Sequence, residues 1–223
     1  MPTIPFIEAV LAAPPSHERA IVFDIDNTVA DTRYRTLDVA REYDARLGSA
    51  HFRDLSVSQV GVSGALTARA VGAPDSTVLD FHSFWQSDDG FWSGARFVHD
   101  RPMQPVASIA QRAAAAGIEV IWLTGRIEAL RADTERWLLA HELPARSLVC
   151  KPDLSVRTAP FKAQFLSQLC HTRTLDFFIT ECTRDIAAAQ AALPSLRCVL
   201  VDFPEPDACE LIRETVRLAL DQP

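Results

Sequence analysis

The sequence lacks several features that define large classes of proteins. No run approaches the roughly 18 consecutive apolar residues that a membrane-spanning helix requires, and the five cysteines form no CxxC pair. Positive charge is scarce, because 22 Lys and Arg stand against 29 Asp and Glu, which gives a formal net charge of −7. These absences argue against a membrane protein, a zinc knuckle, a disulfide framework and a broad nucleic-acid-binding surface.

The first residues of the sequence are not typical of an export signal. The first 20 residues have no cationic start followed by an uninterrupted apolar core, and Pro14 and Pro15 interrupt them. We therefore expect a cytoplasmic protein without membrane association. With 223 residues, the chain is long enough to bury a full core, as one large domain or as a domain with an insertion.

Short apolar segments alternate with helical stretches along most of the chain. The segments predict strands buried on both faces, and they cover residues 20–24, 118–124, 147–150, 175–180 and 197–202. Helices are predicted at residues 5–13, 104–116, 127–143, 160–170, 183–193 and 207–221. This alternation predicts an α/β fold with a doubly wound, Rossmann-like parallel sheet, in which the five strands lie in the order 5-4-1-2-3.

The span between the first strand and the next helix is too long for a loop. We therefore predict a core domain of residues 1–30 and 106–223 and an inserted, mainly helical cap subdomain of residues 31–105. Residues 37–47 have helical spacing, and residues 81–97 are rich in Phe and Trp. These aromatic residues predict either a small core for the insertion or a wall that stacks on an aromatic part of a substrate.

Two carboxylates end the first predicted strand. Residues i and i+2 of a strand point to the same side, so Asp24 and Asp26 face one site together. Because neighbouring carboxylates repel each other, the pair predicts a hard cation such as Mg²⁺ between them. Asp24 is then a candidate nucleophile that forms an aspartyl-phosphate, and Asp26 is a candidate general acid and base.

Here the chain resembles the haloacid dehalogenase superfamily, whose first motif is a strand running into DxDx(T/V). Asp24, Asp26 and Thr28 match that motif. Within the superfamily, phosphatases and phosphomutases keep the second Asp, whereas dehalogenases and phosphonatases lack it. Asp26 therefore implies chemistry on phosphate esters.

The next two motifs supply groups that bind phosphate and balance charge. The strand that ends in Thr124-Gly125-Arg126 matches the second motif, in which the hydroxyl binds a phosphoryl oxygen at the start of a helix. The third motif is a lysine that pairs with the nucleophile. Lys162 and Lys151 are both candidates, and the resemblance favours Lys162.

One branch of the superfamily, which includes phosphatases similar to the 3′-phosphatase domain of polynucleotide kinase, matches the chain further. The matching residues are Arg33, Arg35, Thr134, Trp137, Lys151, Pro152, Asp153, Arg157 and Lys162. From this resemblance we take Arg126, Lys151 and Arg157 as candidate substrate-binding residues. Lys151 and Arg157 are equally open to interpretation as solvated surface charges.

The fourth motif departs from the family pattern. Related chains place one or two Asp residues there to complete the Mg²⁺ shell, whereas this chain reads Thr180-Glu181-Cys182-Thr183-Arg184-Asp185. The candidate metal ligands are therefore Asp24 and Asp26 with Glu181 or Asp185, and the sequence leaves open which of the last two contributes.

Together these motifs predict a Mg²⁺-dependent phosphatase that hydrolyses a phosphate monoester. The substrate predicted is a small phosphorylated molecule, such as a nucleotide or sugar phosphate, or a 3′-phosphorylated polynucleotide end. The alternatives are a phosphotransferase and a catalytically impaired binding or regulatory protein with the same fold.

Overall fold

The structure, a computed structural model, describes residues 5–16 and 18–202. The helix predicted at residues 207–221 lies outside the described residues. Eight helices are described: α1 (Pro5–Ala12), α2 (Arg33–Leu47), α3 (Gly64–Ala70), α4 (Asp75–Gln86), α5 (Gln104–Ala115), α6 (Arg131–Ala140), α7 (Thr158–Leu169) and α8 (Thr183–Ala192). The strands are β1 (Arg19–Phe23), β2 (Ala30–Asp31), β3 (Arg101–Pro102), β4 (Glu119–Ile127), β5 (Ser147–Lys151), β6 (Thr174–Thr180) and β7 (Cys198–Leu200).

Five of these strands form one parallel sheet in the order β5-β4-β1-β6-β7. The predicted α/β class with a parallel sheet is confirmed. Strands β2 and β3 pair separately as a two-stranded ribbon. Counted within the large sheet alone, its strands lie in the order 3-2-1-4-5, which is the predicted order read from the opposite edge.

The central strand β1 is buried from Ala20 to Phe23 because helices cover the sheet. One apolar cluster joins β1, β4 and β6 to helices α7 and α8 through residues such as Val22, Leu123, Phe178, Leu166 and Ile186. Because both faces of these strands are buried, their sequences are continuous apolar runs rather than alternating apolar and polar residues. The same packing fixes which strand ends approach α7 and α8.

Strand β4 is longer than predicted. It continues past Thr124 to Ile127, which pairs with Lys151 after a shift of register beyond Leu123. The helix predicted from residue 127 therefore begins later, with a short 3₁₀ turn at Glu128–Leu130 before α6. Gly125 and Arg126 thus belong to β4, which lies between β1 and β5 in the sheet.

The described chain divides into two compact units. One contains residues 5–29 and 102–202 with the large sheet, and the other is Ala30–Arg101, which we call the insertion. The predicted role of the insertion as a cap over the site stays a prediction.

The insertion has an aromatic core of its own. Phe52, Phe81, Trp85 and Phe91 are buried together, and the rings of Phe52 and Phe81 lie 4.4 Å apart. Arg35 is buried over the rings of Phe91 and Phe97 and pairs with Asp100, its Nε donating to Oδ1 at 2.8 Å. The structure thus places these aromatic residues inside the insertion, which favours the first of the two interpretations of residues 81–97.

None of the described helices has the length and hydropathy needed to cross a bilayer.

Candidate active site

Asp24, just after β1, and Thr180, the last residue of β6, lie on the same side of the sheet. Val22 of β1 and Phe178 of β6 pack into the apolar cluster under α7 and α8. Two residues further along, at the carboxyl ends of the strands, Asp24 and Thr180 continue this alternation. The strand order of the sheet changes direction between β1 and β6, which is where α/β sheets of this type bind ligands.

A buried lysine from α7 joins two of the carboxylates. Lys162 Nζ lies 2.6 Å from Asp24 Oδ2 and 2.6 Å from Asp185 Oδ2, and all three side chains are nearly inaccessible to solvent. Although burial opposes its charge, the carboxylates of Asp24 and Asp185 raise the pKa of Lys162, so it stays an ammonium ion. Of the two candidate lysines, Lys162 is therefore the one that contacts Asp24.

Asp24 is held by three kinds of donor. Its Oδ1 accepts the Ile25 N–H at 2.8 Å, and its Oδ2 accepts the Thr180 hydroxyl at 3.1 Å in addition to Lys162. Burial raises the pKa of Asp24, and the Lys162 charge opposes that shift. The carboxylate therefore has a fixed orientation and a cation beside it.

Two threonines contact the side chain of Glu181, and one of them, Thr180, also donates a hydrogen bond to Asp24. Thr28 Oγ1 donates to Glu181 Oε2 at 2.9 Å, and the Glu181 N–H donates back to Thr28 Oγ1 at 3.0 Å. The Thr180 hydroxyl lies 3.4 Å from the same Oε2. Burial, followed by the negative charge of Asp24, raises the pKa of Glu181 to about 8.

Asp26 is paired with Arg126. Arg126 Nε donates to Asp26 Oδ2 at 3.0 Å and Nη2 donates to Oδ1 at 2.8 Å, which is a bidentate pair. Arg126 is fully buried, and its Nη1 lies 3.3 Å from Thr134 Oγ1. In the structure the Arg126 guanidinium contacts Asp26 and Thr134, and its binding of substrate stays a prediction.

Thr124 is fully buried, just after the point where the pairing of β4 with β5 shifts register. Its Oγ1 accepts the Arg126 N–H at 3.1 Å. Its predicted contact with a phosphoryl oxygen stays a prediction.

The two remaining candidates, Lys151 and Arg157, differ in exposure. Arg157 is exposed and occupies the position before the first residue of α7. Lys151 ends β5 and is only 7% exposed. Burial lowers the pKa of Lys151, and the charge of Asp153 opposes this shift.

The donors at the site fit a small, hard cation. Four carboxylates (Asp24, Asp26, Glu181 and Asp185) face two basic side chains (Lys162 and Arg126), so negative charge is in excess. Within the described part of the chain, no three or more acidic, Cys or His side chains form a closed metal cage. Mg²⁺ needs no such cage, since one or two carboxylates with water and substrate phosphate oxygens complete its octahedron. Asp24 and Glu181 are the pair best placed to hold it, because an oxygen of each lies beside the same Thr180 hydroxyl, at 3.1 Å and 3.4 Å.

Sequence reasoning missed the role of Thr180. Its place at the end of β6 was interpreted only as a departure from the family pattern, whereas its hydroxyl is hydrogen-bonded to Asp24. The alternation of β6 is the signal that predicts this contact, because it puts Thr180 on the same side as Phe178.

Comparison with known proteins identifies the fold. No family model matches the chain, and no curated protein matches it. Solved structures do. A putative phosphatase from Clostridium difficile is 11% identical with a TM-score of 0.58, and the match covers 84% of this chain and 86% of that one. A haloacid dehalogenase-like hydrolase from Streptococcus pneumoniae is 12% identical with a TM-score of 0.51, covering 82% and 83%.

A third match is a chain of the Pnkp1/Rnl/Hen1 complex, which is 17% identical with a TM-score of 0.52. The match covers 82% of this chain and 46% of that one, so this chain spans less than half the length of that relative. At these levels of identity the matches establish architecture. The chain shares the fold of these solved structures, one of which is named a haloacid dehalogenase-like hydrolase.

Proposed function

We propose that the protein is a Mg²⁺-dependent phosphatase that hydrolyses a phosphate monoester through an aspartyl-phosphate on Asp24. The observation that carries the proposal is the contact of Lys162 with both Asp24 and Asp185 at 2.6 Å, at the switch point of the sheet. A buried carboxylate that is oriented by a backbone N–H and balanced by a lysine suits a nucleophile better than a structural turn.

In the first step, an oxygen of Asp24 attacks the phosphorus atom and the ester oxygen leaves. Hydrogen bonds from Ile25 and Thr180 fix the Asp24 carboxylate for that attack. Lys162 offsets negative charge as the phosphoryl group approaches. Mg²⁺, when bound by Asp24 and Glu181, supplies further charge stabilisation on the phosphoryl oxygens.

Asp26 is proposed to pass a proton to the leaving oxygen and then to take one from the water that hydrolyses the aspartyl-phosphate. A group that serves both steps must keep one position. The bidentate contact with Arg126 provides that position. We therefore assign Arg126 to positioning Asp26, and Thr134 to holding Arg126.

The proposed substrate is a nucleotide, a sugar phosphate or a 3′-phosphorylated polynucleotide end. Similarity to a chain of an RNA repair complex supports the last of these. The net charge of −7 favours the smaller substrates, because a polynucleotide is repelled by an acidic protein.

The test is phosphate release from an aryl phosphate with Mg²⁺, with a chelator, and with the Asp24→Asn protein. Turnover that needs Mg²⁺ and is lost in Asp24→Asn supports the proposal. Asp44→Asn is the matched control, since Asp44 is also a buried Asp with hydrogen bonds, but it lies in the insertion and accepts from Ser49 and Phe52.

A nucleotide, sugar phosphate and 3′-phosphorylated oligonucleotide panel follows, because a selective site can reject an aryl group. Full activity in Asp24→Asn contradicts the aspartyl-phosphate mechanism. If no phosphate is released from any substrate of the panel, and Mg²⁺ does not raise the melting temperature, the proposed phosphatase activity is contradicted.

A further inference from the structure

A threonine in the segment after β1 contacts both the side chain and the main chain of Glu181. Thr28 Oγ1 donates to Glu181 Oε2 at 2.9 Å, and the Glu181 N–H donates to the same Oγ1 at 3.0 Å. Because Thr28 is fully buried, these hydrogen bonds are shielded from bulk water, which strengthens them. One hydroxyl therefore fixes the Glu181 carboxylate close to its own backbone.

Thr28, rather than Thr180, is the main donor to Glu181. A hydroxyl has one proton to donate. The Thr180 hydroxyl lies nearer to Asp24 Oδ2, at 3.1 Å, than to Glu181 Oε2, at 3.4 Å, and its oxygen accepts the Cys182 N–H at 3.2 Å. Thr180 therefore serves Asp24, and the position of Glu181 Oε2 depends on Thr28.

The Thr28 hydroxyl makes the two oxygens of the Glu181 carboxylate different from each other. The contacts of Glu181 with the Thr28 and Thr180 hydroxyls both fall on Oε2. A hydrogen bond of this kind orients a carboxylate that binds a metal ion. Oε1 is then the oxygen that a cation can bind without displacing the threonine proton.

The number of oxygens that a carboxylate offers influences which divalent cation it binds. Mg²⁺ demands a near-ideal octahedron and dehydrates reluctantly, so it is held by few carboxylates and keeps several waters. The larger Ca²⁺ takes more oxygens in a flexible geometry, and in calcium-binding loops a Glu supplies both of its oxygens. A Glu restricted to one oxygen therefore suits Mg²⁺, whereas a Glu with both oxygens available also suits Ca²⁺.

We propose that the Thr28 hydroxyl sets the cation preference of the site, because it occupies Oε2 of Glu181 and restricts this carboxylate to one oxygen for the ion, which favours Mg²⁺ over Ca²⁺. Thr28 is a positioning residue in this role, since it acts on the cation through Glu181. The inference rests on the proposed function only in requiring a divalent cation at Asp24 and Glu181. Its test needs no turnover.

The test measures cation binding by the full-length, chelator-treated protein without substrate. Melting temperatures are recorded over a series of MgCl₂ and of CaCl₂ concentrations, and each series gives a dissociation constant. The unsubstituted protein is expected to bind Mg²⁺ more tightly than Ca²⁺. Thr28→Val keeps nearly the same shape but lacks the hydroxyl, so Oε2 becomes available to the ion. The ratio of Ca²⁺ affinity to Mg²⁺ affinity is expected to rise by about 10-fold or more, as for loss of an outer-shell partner.

Thr67→Val is the matched control. Thr67 is also a fully buried threonine, and its hydroxyl donates to Ser63 O at 2.9 Å and accepts the Gly61 N–H at 3.2 Å, but it lies in the insertion. This variant loses the same group and is expected to keep the ratio. Thr28→Ser retains the hydroxyl and is also expected to keep it. Thr28→Ala is a second variant without the hydroxyl, and circular dichroism shows whether each variant is folded.

Tighter binding of Ca²⁺ than of Mg²⁺ by the unsubstituted protein, or no binding of either ion, overturns the inference even if no Thr28 variant folds. An unchanged ratio in Thr28→Val and Thr28→Ala, or an equal change in Thr28→Ser or Thr67→Val, also overturns it. Mg²⁺-dependent phosphate release with an unchanged ratio keeps the proposed function and loses the inference. A Thr28-dependent ratio without phosphate release from any substrate keeps the inference and loses the proposed phosphatase.

Discussion

Lys162 Nζ lies 2.6 Å from Asp24 Oδ2, in a place where both side chains are almost completely buried. The lysine comes from α7 and the aspartate from the end of β1, so the contact depends on how that helix packs on the sheet. Because Lys162 also contacts Asp185, one cation compensates two buried carboxylates. Loss of this cation is therefore expected to affect both activity and stability.

Lys162→Met tests both effects. The variant leaves Asp24 and Asp185 without their cation, and we expect the free energy of unfolding to fall by about 3–5 kcal/mol. If the protein is the proposed phosphatase, kcat is expected to fall by about 10²- to 10³-fold, as for loss of a charge-stabilising donor. Urea unfolding and steady-state kinetics measure the two.

The control for Lys162→Met is Arg173→Met, which breaks the partly exposed pair with Glu119. A change of less than about 1 kcal/mol is expected there. An equal loss of stability in the two variants would show that the buried pairs of Lys162 contribute no more to the free energy of unfolding than the partly exposed pair.

The assignment of Arg126 to positioning Asp26 predicts non-additive kinetics. Arg126→Met and Asp26→Asn are each expected to lower kcat by about 10²- to 10⁴-fold, the usual contribution of general acid–base catalysis. Their combination is expected to be little worse than Asp26→Asn alone, because both changes disable the same group. Losses that multiply, or an Arg126→Met effect confined to KM, would return Arg126 to substrate binding.

The raised pKa of Glu181 predicts a pH dependence of stability in the absence of divalent cations. Its pKa is raised from 4.5 to about 8 on folding, so the folded protein binds more protons than the unfolded one between these values. The free energy of unfolding is therefore expected to fall as the pH rises through that window, and the destabilisation is fully present above about pH 8. Chemical unfolding as a function of pH measures this slope, which should be smaller in Glu181→Gln.

Mg²⁺ should reverse that slope in part. A cation and a proton compete for the same carboxyl group, so Mg²⁺ is expected to raise the melting temperature more at the alkaline end of the window than at the acidic end. Equal stabilisation at both ends, or an unchanged response in Glu181→Gln, would remove Glu181 from the metal site.

The insertion provides a separate test of stability. Arg35 is fully buried against Phe91 and paired with Asp100. Arg35→Met removes this buried ion pair, and a loss of about 3–5 kcal/mol is expected in urea unfolding. Arg46→Met is the comparison, because its pair with Glu42 is about half exposed, and a cost below about 1 kcal/mol is expected. Similar costs for the two variants would contradict the importance of the buried pair.

The sequence by itself determined the α/β class, the strands that form the sheet and the nucleophile candidate at the end of β1. These follow from local sequence patterns. Apolar runs and their spacing indicate which segments are buried strands, and a DxD segment places two carboxylates on one side of a strand. The presence of the insertion could also be predicted from the sequence, because the span between the first strand and the next helix is too long for a loop.

Only the tertiary structure decided which charges are paired. The sequence leaves both Lys151 and Lys162 as candidates and favours Lys162 only by resemblance, whereas the structure separates them, because α7 brings Lys162 onto Asp24 and Lys151 ends the edge strand β5. Arg126 and Asp26 are 100 residues apart in the sequence and form one ion pair. Such pairings depend on distances of a few ångströms between separate elements, and the Coulomb energy that makes them matter is set by burial, which a local sequence pattern does not contain.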